Sequence, residues 1–211
     1  MAKSGSSSSR ERRLREKEGH RALIFAAALE LFAEKGYHDT GMSEIAERAG
    51  FATGSLYNFF KSKDEIYESI IQETHGRIVS SLLEVLDSRA DALKVLAEYV
   101  GSGARLASES LPILKLAIAT HMTVAGLGAR IRERVRERDA LLEKRLAAVM
   151  KRGMREGVIR RGDPAFLAVS FSEFLRACFI REIEDTHRPV APGFARDLYD
   201  LFMKGASASR S

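Results

Sequence analysis

The chain has 211 residues, is 45% hydrophobic and 30% charged, and carries a formal net charge of +5. That length can bury a substantial core, and the composition is ordinary for a globular protein. No apolar run approaches the roughly 18 residues of a membrane span and no signal-peptide h-region opens the chain, so a membrane protein is excluded and a cytoplasmic one expected.

A single cysteine, Cys178, excludes an intramolecular disulfide and suits a reducing compartment. With no Trp, four Pro and abundant Ala, Leu, Glu and Arg, helix is favoured throughout, and the expected fold class is all-α. The basic excess is compatible with a polyanionic partner but does not by itself specify one.

Residues 1–9 are Ser/Gly-rich, and 10–21 carry Arg10, Arg12, Arg13, Arg15, Lys17 and Arg21 against Glu11, Glu16 and Glu18. Residues 1–17 are expected to be a disordered basic tail. Its charged part is either an arm that follows phosphates or a minor groove, or a frayed, solvated helix start. The first helix is expected over 19–35, where Ile24, Ala28, Leu31 and Phe32 repeat at helical spacing. Gly36 stops it and Tyr37 closes over its end. The next helix begins near Met42. Its cap position holds Gly41, while Glu44 stands where the acid of a capping box belongs, so half of that device is present.

Residues 42–63, MSEIAERAGFATGSLYNFFKSK, read as two short helices joined by a tight turn. Ile45, Ala46 and Ala49 line the inward face of the first, Gly50 ends it, and Leu56, Phe59 and Phe60 point inward from the second. Opposite them lie Thr53, Gly54, Ser55, Tyr57 and Asn58. A helix that buries one side and presents short polar groups on the other suits a DNA major groove. The pattern predicts a helix-turn-helix.

The runs Arg21–Ala22–Leu23–Ile24, Ala27–Ala28–Leu29, Leu31–Phe32 and Gly36–Tyr37 resemble the opening of TetR-family transcriptional repressors. Ile45–Ala46, Ala49–Gly50, Gly54–Ser55–Leu56–Tyr57, Phe60 and Ser62–Lys63 continue the resemblance in register over about residues 20–66. It implies a supporting helix at 42–49 and a recognition helix at 53–59. It also implies DNA-facing roles for Thr53, Ser55, Tyr57 and Asn58, and a phosphate contact for Lys63. The hydroxyls of Thr53 and Ser55 suit a base edge or phosphate, Gly54 permits close backbone approach, and Tyr57 offers a rigid phosphate donor. Lys61, Thr40 and Ser43 complete the candidate DNA-binding set. The sequence departs from the family at Ala52, where a capping Ser is common. Either Thr53 takes over the cap, or the helix start frays until DNA orders it.

From Lys63 a long helix follows, with Ile66, Ile70, Ile78, Leu82, Val85 and Leu86 inward, then a connection at 87–91. A helix at about 91–108 contains Gly101 and Gly103, which weaken it or make room for a close neighbour. Pro112 starts a further piece that Gly126 and Gly128 break. The arginine-rich helix at about 129–153 interleaves Glu133, Glu137, Asp139 and Glu143 at i, i+4 offsets, the pattern of a solvated, salt-bridged face rather than a second nucleic-acid surface. Asp163–Pro164 caps a helix that is apolar on nearly every side, so a partner is expected on one face. With a last helix at about 193–204, bearing Phe194, Leu198, Leu201 and Phe202, it reads as a homodimer interface over about 164–182 and 193–204. Two-fold pairing doubles the DNA site.

The expected organisation is a tail at 1–17, a helix-turn-helix domain at 18–64, and a ligand-binding and dimerisation bundle at 65–205. By resemblance, the bundle encloses a pocket for a small effector. Candidate lining residues are Tyr99, Gly103, His121, Met122, Phe171, Phe174 and Cys178, each also an ordinary core residue, and the effector is expected to be hydrophobic. No cofactor and no metal are expected: the histidines are scattered without ligand spacing, and no nucleophile motif or phosphate loop is present. The expected function is a ligand-responsive repressor on a pseudo-palindromic operator. A constitutive DNA-binding protein is the alternative, and an enzyme is disfavoured.

Overall fold

The computed structural model describes residues 4–121 and 127–206, with only the backbone at 4–8, 119–121, 127, 128, 130, 132, 134 and 206. Among the described residues the regular structure is nine helices: α1 Ser4–Lys35, α2 Met42–Arg48, α3 Thr53–Tyr57, α4 Lys63–Leu86, α5 Ala92–Glu109, α6 Leu111–His121, α7 Leu127–Arg155, α8 Pro164–Thr186 and α9 Pro192–Ala206. The all-α expectation holds.

The N-terminal expectation is corrected. Residues 4–17 are not a disordered tail but the first turns of α1. Arg, Lys, Glu and Leu are good helix formers, an ion pair joins Arg12 to Glu16 at 3.9 Å, and a helix already nucleated at 19–35 extends at little further cost.

Two compact units divide the chain. One comprises the residues up to Ile71 with a segment beginning at Leu116; the other comprises Gln72–Lys115 and the chain from Gly128 onward. The expected boundary at residue 64 therefore moves into α4. Tyr67 explains this: it is buried, its ring lying 6.4 Å from that of Phe32 and 5.3 Å from that of Tyr37, so the start of α4 belongs to the core of the first unit. Ile24, Ala28, Ile45, Ala46, Leu56, Phe60, Ile66 and Ile70 complete that core.

The second unit is centred on Val95, Leu96 and Val100 of α5, Leu146 and Met150 of α7, and Ala168, Phe171 and Ile183 of α8. Asp163 caps α8 by accepting from the Ala165 N–H at 2.9 Å with Pro164 behind it, as the sequence predicts. Asp91 caps α5 in the same manner through Lys94 N–H. Gly153 is required by packing: a Cβ there would lie 2.6 Å from Ile159 Cδ1 and 3.1 Å from Ala92 Cβ. A Cβ on Gly103 would lie 3.4 Å from the Phe179 ring, an ordinary contact, so the packing there does not demand glycine.

α8 is less uniformly apolar than its sequence suggests. Leu167, Ala168, Phe171, Leu175, Phe179 and Ile183 face inward, while Glu173, Arg176, Arg181 and Glu184 are exposed along its outer side. The exposed apolar groups gather in its first turns, with Phe166 at 65% and Val169 at 39% exposure. On α9, Leu201 is 62% exposed, but Leu198 is buried in its own chain and Phe202 stacks on Phe171, with ring centroids 4.6 Å apart. Leu198 is thereby removed from the expected dimer face, while Phe202 is only partly covered by its own chain. No described helix is long and apolar enough to cross a membrane.

Candidate nucleic-acid interface

The turn between α2 and α3 begins with a backbone that only glycine adopts cheaply. Gly50 has φ +76°, the Gly50 N–H donates to Glu47 O at 3.0 Å, and the Phe51 N–H reaches back to Ala46 O at 2.8 Å. This pair of bonds is a Schellman stop, and it swings the chain sharply into α3. Gly41 precedes α2 as its cap. Its N–H donates to Glu44 Oε2 at 2.8 Å, and having no side chain it cannot return the bond, so half of the capping box forms, as expected.

α3 is five residues long, and Ala52 caps it with backbone alone. Thr53 does not take over the cap, which leaves its hydroxyl available to a ligand. Leu56 is fully buried beneath the helix, whereas Thr53, Gly54 and Asn58 are exposed, Ser55 is half-buried and Tyr57 is 50% exposed. The structure thus brings Thr53, Gly54, Ser55, Tyr57 and Asn58 onto one outward surface. Lys61 and Ser43 are also exposed. Tyr57 does not pack under α1; His20 of α1 does the corresponding job, its ring meeting Phe51 at 5.2 Å and Phe59 at 5.7 Å.

Two candidates are corrected. Thr40 is only 2% exposed, and its hydroxyl donates to Gly36 O at 2.8 Å, so it holds the turn after α1 and does not face a ligand. Lys63 is committed as well. Its ammonium donates to the carbonyls of Tyr37 at 2.6 Å, His38 at 3.0 Å and Thr40 at 2.7 Å, and lies 4.6 Å from the centroid of the Tyr37 ring. An ammonium has three N–H donors, and all three are used. Lys63 is a clamp on the α1–α2 turn and not a free phosphate contact. Partial burial pushes its pKa down, while Asp64 and Asp39 act the other way.

Further polar ties fix α2 against α1. Arg48 makes a two-pronged bond to Glu34, both arms at 3.0 Å, and reaches Glu30 at 3.3 Å. Lys35 bonds Glu44, and this bond, followed by that from the Gly41 N–H, holds the Glu44 carboxyl below its ordinary pKa. Glu34 is lowered chiefly by its bond to Arg48. Tyr37 donates to Asp64 at the start of α4. Apart from the Gly41–Glu44 bond, none of these ties was legible in the sequence, because the partners are 9 to 27 residues apart or are backbone carbonyls.

The sequence profile of bacterial regulatory proteins of the tetR family matches residues 24–70, which span this unit. The fatty acid metabolism regulator protein of Bacillus subtilis (strain 168) is 30% identical over 145 residues, covering 69% of this chain and 73% of that protein. The chain belongs to the TetR family. As a family member it is a helix-turn-helix transcriptional regulator. An activator, FasR of Mycolicibacterium smegmatis, is 37% identical over 75 residues, covering 36% of this chain and 34% of that protein. Among solved structures, the fatty acid degradation regulator FadR of Bacillus halodurans superposes with a TM-score of 0.73 at 19% identity, over 88% of this chain and 95% of that one. FadR of Bacillus subtilis, solved in complex with stearoyl-CoA, superposes with a TM-score of 0.71 at 22% identity, over 87% and 98%. At those identities the superpositions show the fold. The relatives are regulators and not enzymes.

The candidate effector residues of this TetR-family chain are only partly described. The side chain of His121, and all of Met122, lie outside the described residues. Tyr99, Phe171 and Phe174 meet in one aromatic group with Phe202, Tyr99 to Phe171 at 6.0 Å and Phe174 to Phe202 at 6.1 Å. Burial pushes the Tyr99 hydroxyl pKa up, with Asp139 and Glu143 adding to the effect. Cys178 is half-buried and its thiol pKa is raised by burial, the environment of an unreactive thiol. Phe202 was missed as a neighbour of this group because its spacing in α9 matches the exposed face equally well.

Proposed function

We propose that the protein is a cytoplasmic, ligand-responsive repressor that binds a pseudo-palindromic operator as a homodimer and is released by a hydrophobic effector. The observation that carries the DNA reading is the outward surface of α3. Thr53, Gly54, Ser55, Tyr57 and Asn58 present hydrogen-bonding groups there over the buried Leu56, and no cap bond occupies Thr53. Lys61 and Ser43 flank it as phosphate partners. Five residues read few base pairs, so a second copy is needed for useful selectivity. Phe166, Val169 and Leu201, exposed within 164–182 and 193–204, supply apolar surface for it.

For the effector we propose a long-chain fatty acyl thioester. A relative that regulates fatty acid metabolism and a similar fold solved with stearoyl-CoA support that class, as does the aromatic group around Phe171. A coupling of about 1–3 kcal/mol gives roughly 5–150-fold release. The test is a titration of the DNA upstream of the gene, with and without stearoyl-CoA. Binding weakened by a factor in that range is expected; unchanged affinity across acyl chain lengths would return the reading to a constitutive DNA-binding protein.

A further inference from the structure

We infer that the N-terminal extension of α1 is a second DNA contact, in which Arg10, Arg13 and Lys17 bind phosphates beside the half-site that α3 reads. The inference rests on the DNA reading proposed above. A helix turns about 100° per residue, so Arg10, Arg13, Lys17 and Arg21 fall within about 80° of arc. Glu11 and Glu18 lie off one flank of that stripe and Glu16 off the other, where Glu16 pairs with Arg12. The line through Arg10, Arg13 and Lys17 therefore carries no carboxylate of its own.

The same line continues, turn by turn, into Ile24, Ala28 and Leu31, which are buried in the first unit. The stripe thus lies on the side of α1 that faces the reading helices. Arg21 marks the changeover. Its guanidinium lies over the rings of Phe25 at 5.2 Å and Phe60 at 4.8 Å, while Lys17, one turn earlier, is exposed. Arg10, Arg13 and Lys17 are exposed, and none has a carboxylate at ion-pair distance among the described residues.

Position links the stripe to α3. His20 seats α1 against Phe51 just before α3 and Phe59 just after it, so the residues preceding His20 extend beyond that contact. At about 1.5 Å per residue, Arg10 to Lys17 spans about 10 Å of helix. B-DNA carries a phosphate about every 3.4 Å of axis on each strand, so this span matches about three phosphates for three cations. A helical extension holds that spacing, which a disordered tail of the same charge does not. The family profile begins at residue 24, beyond the stripe.

The experiment compares the full-length protein with an Arg10→Gln/Arg13→Gln/Lys17→Gln variant and an Arg12→Gln/Arg15→Gln control by fluorescence anisotropy on labelled upstream duplex from 50 to 200 mM salt. Gln keeps the helix propensity, and the three side chains replaced in the triple variant are exposed. The triple variant is expected to flatten the slope of log K against log salt by about 2.7, or about 0.9 per lost phosphate contact, and the control much less. Trimming the duplex to its half-sites should erase the difference between wild type and triple variant. An unchanged slope on the long duplex, or a triple variant no different from the control, overturns the inference. So does a triple variant that keeps its DNA slope but loses binding to phosphatidylglycerol vesicles, the surface that exposed Leu14 beside the stripe would favour. If wild type itself shows no salt-sensitive binding, the DNA reading falls and this inference with it.

Discussion

In the first unit α2 and the turn before it are held at their edges by polar ties: Lys63 on three carbonyls, Arg48 on Glu34 and Glu30, and Lys35 and Gly41 on Glu44. In the second unit long helices are held by packed apolar side chains, with Phe171 fully buried against Tyr99 and Phe202, and Ile159 against Gly153. The contrast follows from helix length. A helix of seven residues has little apolar face to fix its own angle, so α2 also relies on directional bonds to its neighbours, while α3 sits on the fully buried Leu56. Helices of eighteen residues or more carry a full stripe, and polar ties such as Arg145 to Asp87 and Tyr199 to the Leu93 carbonyl add to that packing.

The largest expected effect lies in the second unit. Phe171→Ala should cost about 3–5 kcal/mol of stability, read by chemical denaturation. A loss below about 1 kcal/mol would show that the aromatic group is not part of a packed core. Next comes the clamp. Lys63→Met keeps the stem and removes three bonds, and should destabilise the first unit by about 2 kcal/mol, with faster amide exchange at residues 37–41. Faster exchange nowhere in that turn, with only DNA affinity reduced, would restore Lys63 as a phosphate contact. Ala52→Ser should work in the opposite direction, giving α3 the side-chain cap it lacks and adding about 1 kcal/mol. No gain would mean that the helix start is already fixed by other bonds.

The smallest effect concerns acid. The Glu44 carboxyl is held below its ordinary value near 4.5 by Lys35 and the Gly41 N–H. Its contribution is therefore present above that value and lost as pH falls through the depressed one. Glu44→Gln should lower stability at neutral pH and make it less sensitive to acid below about pH 4.5 than wild type. Parallel acid curves for the two proteins would remove Glu44 from the ties.

The periodicity of Ile24, Ala28, Leu31 and Phe32, the Gly50 stop and the Asp163–Pro164 start were readable because each depends on local spacing or local backbone preference. Inward Leu56 and outward Tyr57 followed from the same pattern. Lys63 and Thr40 were misread because a side chain bonding a backbone carbonyl leaves no trace in composition. Residues 4–17 were misread because serine, glycine and unpaired charge look the same in a tail and in the exposed end of a long helix. The boundary at residue 64 missed Tyr67 because α4 runs through both units without a local break. The aromatic group around Phe171 was legible only as a set of apolar residues in α5 and α8; the aromatic contact to Phe202 required the register of α9.

The most direct measurement is the affinity of wild type and a Thr53→Ala/Tyr57→Phe variant for the gene's upstream duplex and for a scrambled duplex, with melting temperatures recorded alongside. Wild type is expected to prefer the upstream duplex, and the variant to lose about tenfold or more of that affinity while melting at the same temperature. Equal affinity of the two proteins, or of wild type for the two duplexes, would contradict the assignment of α3 as the reading helix.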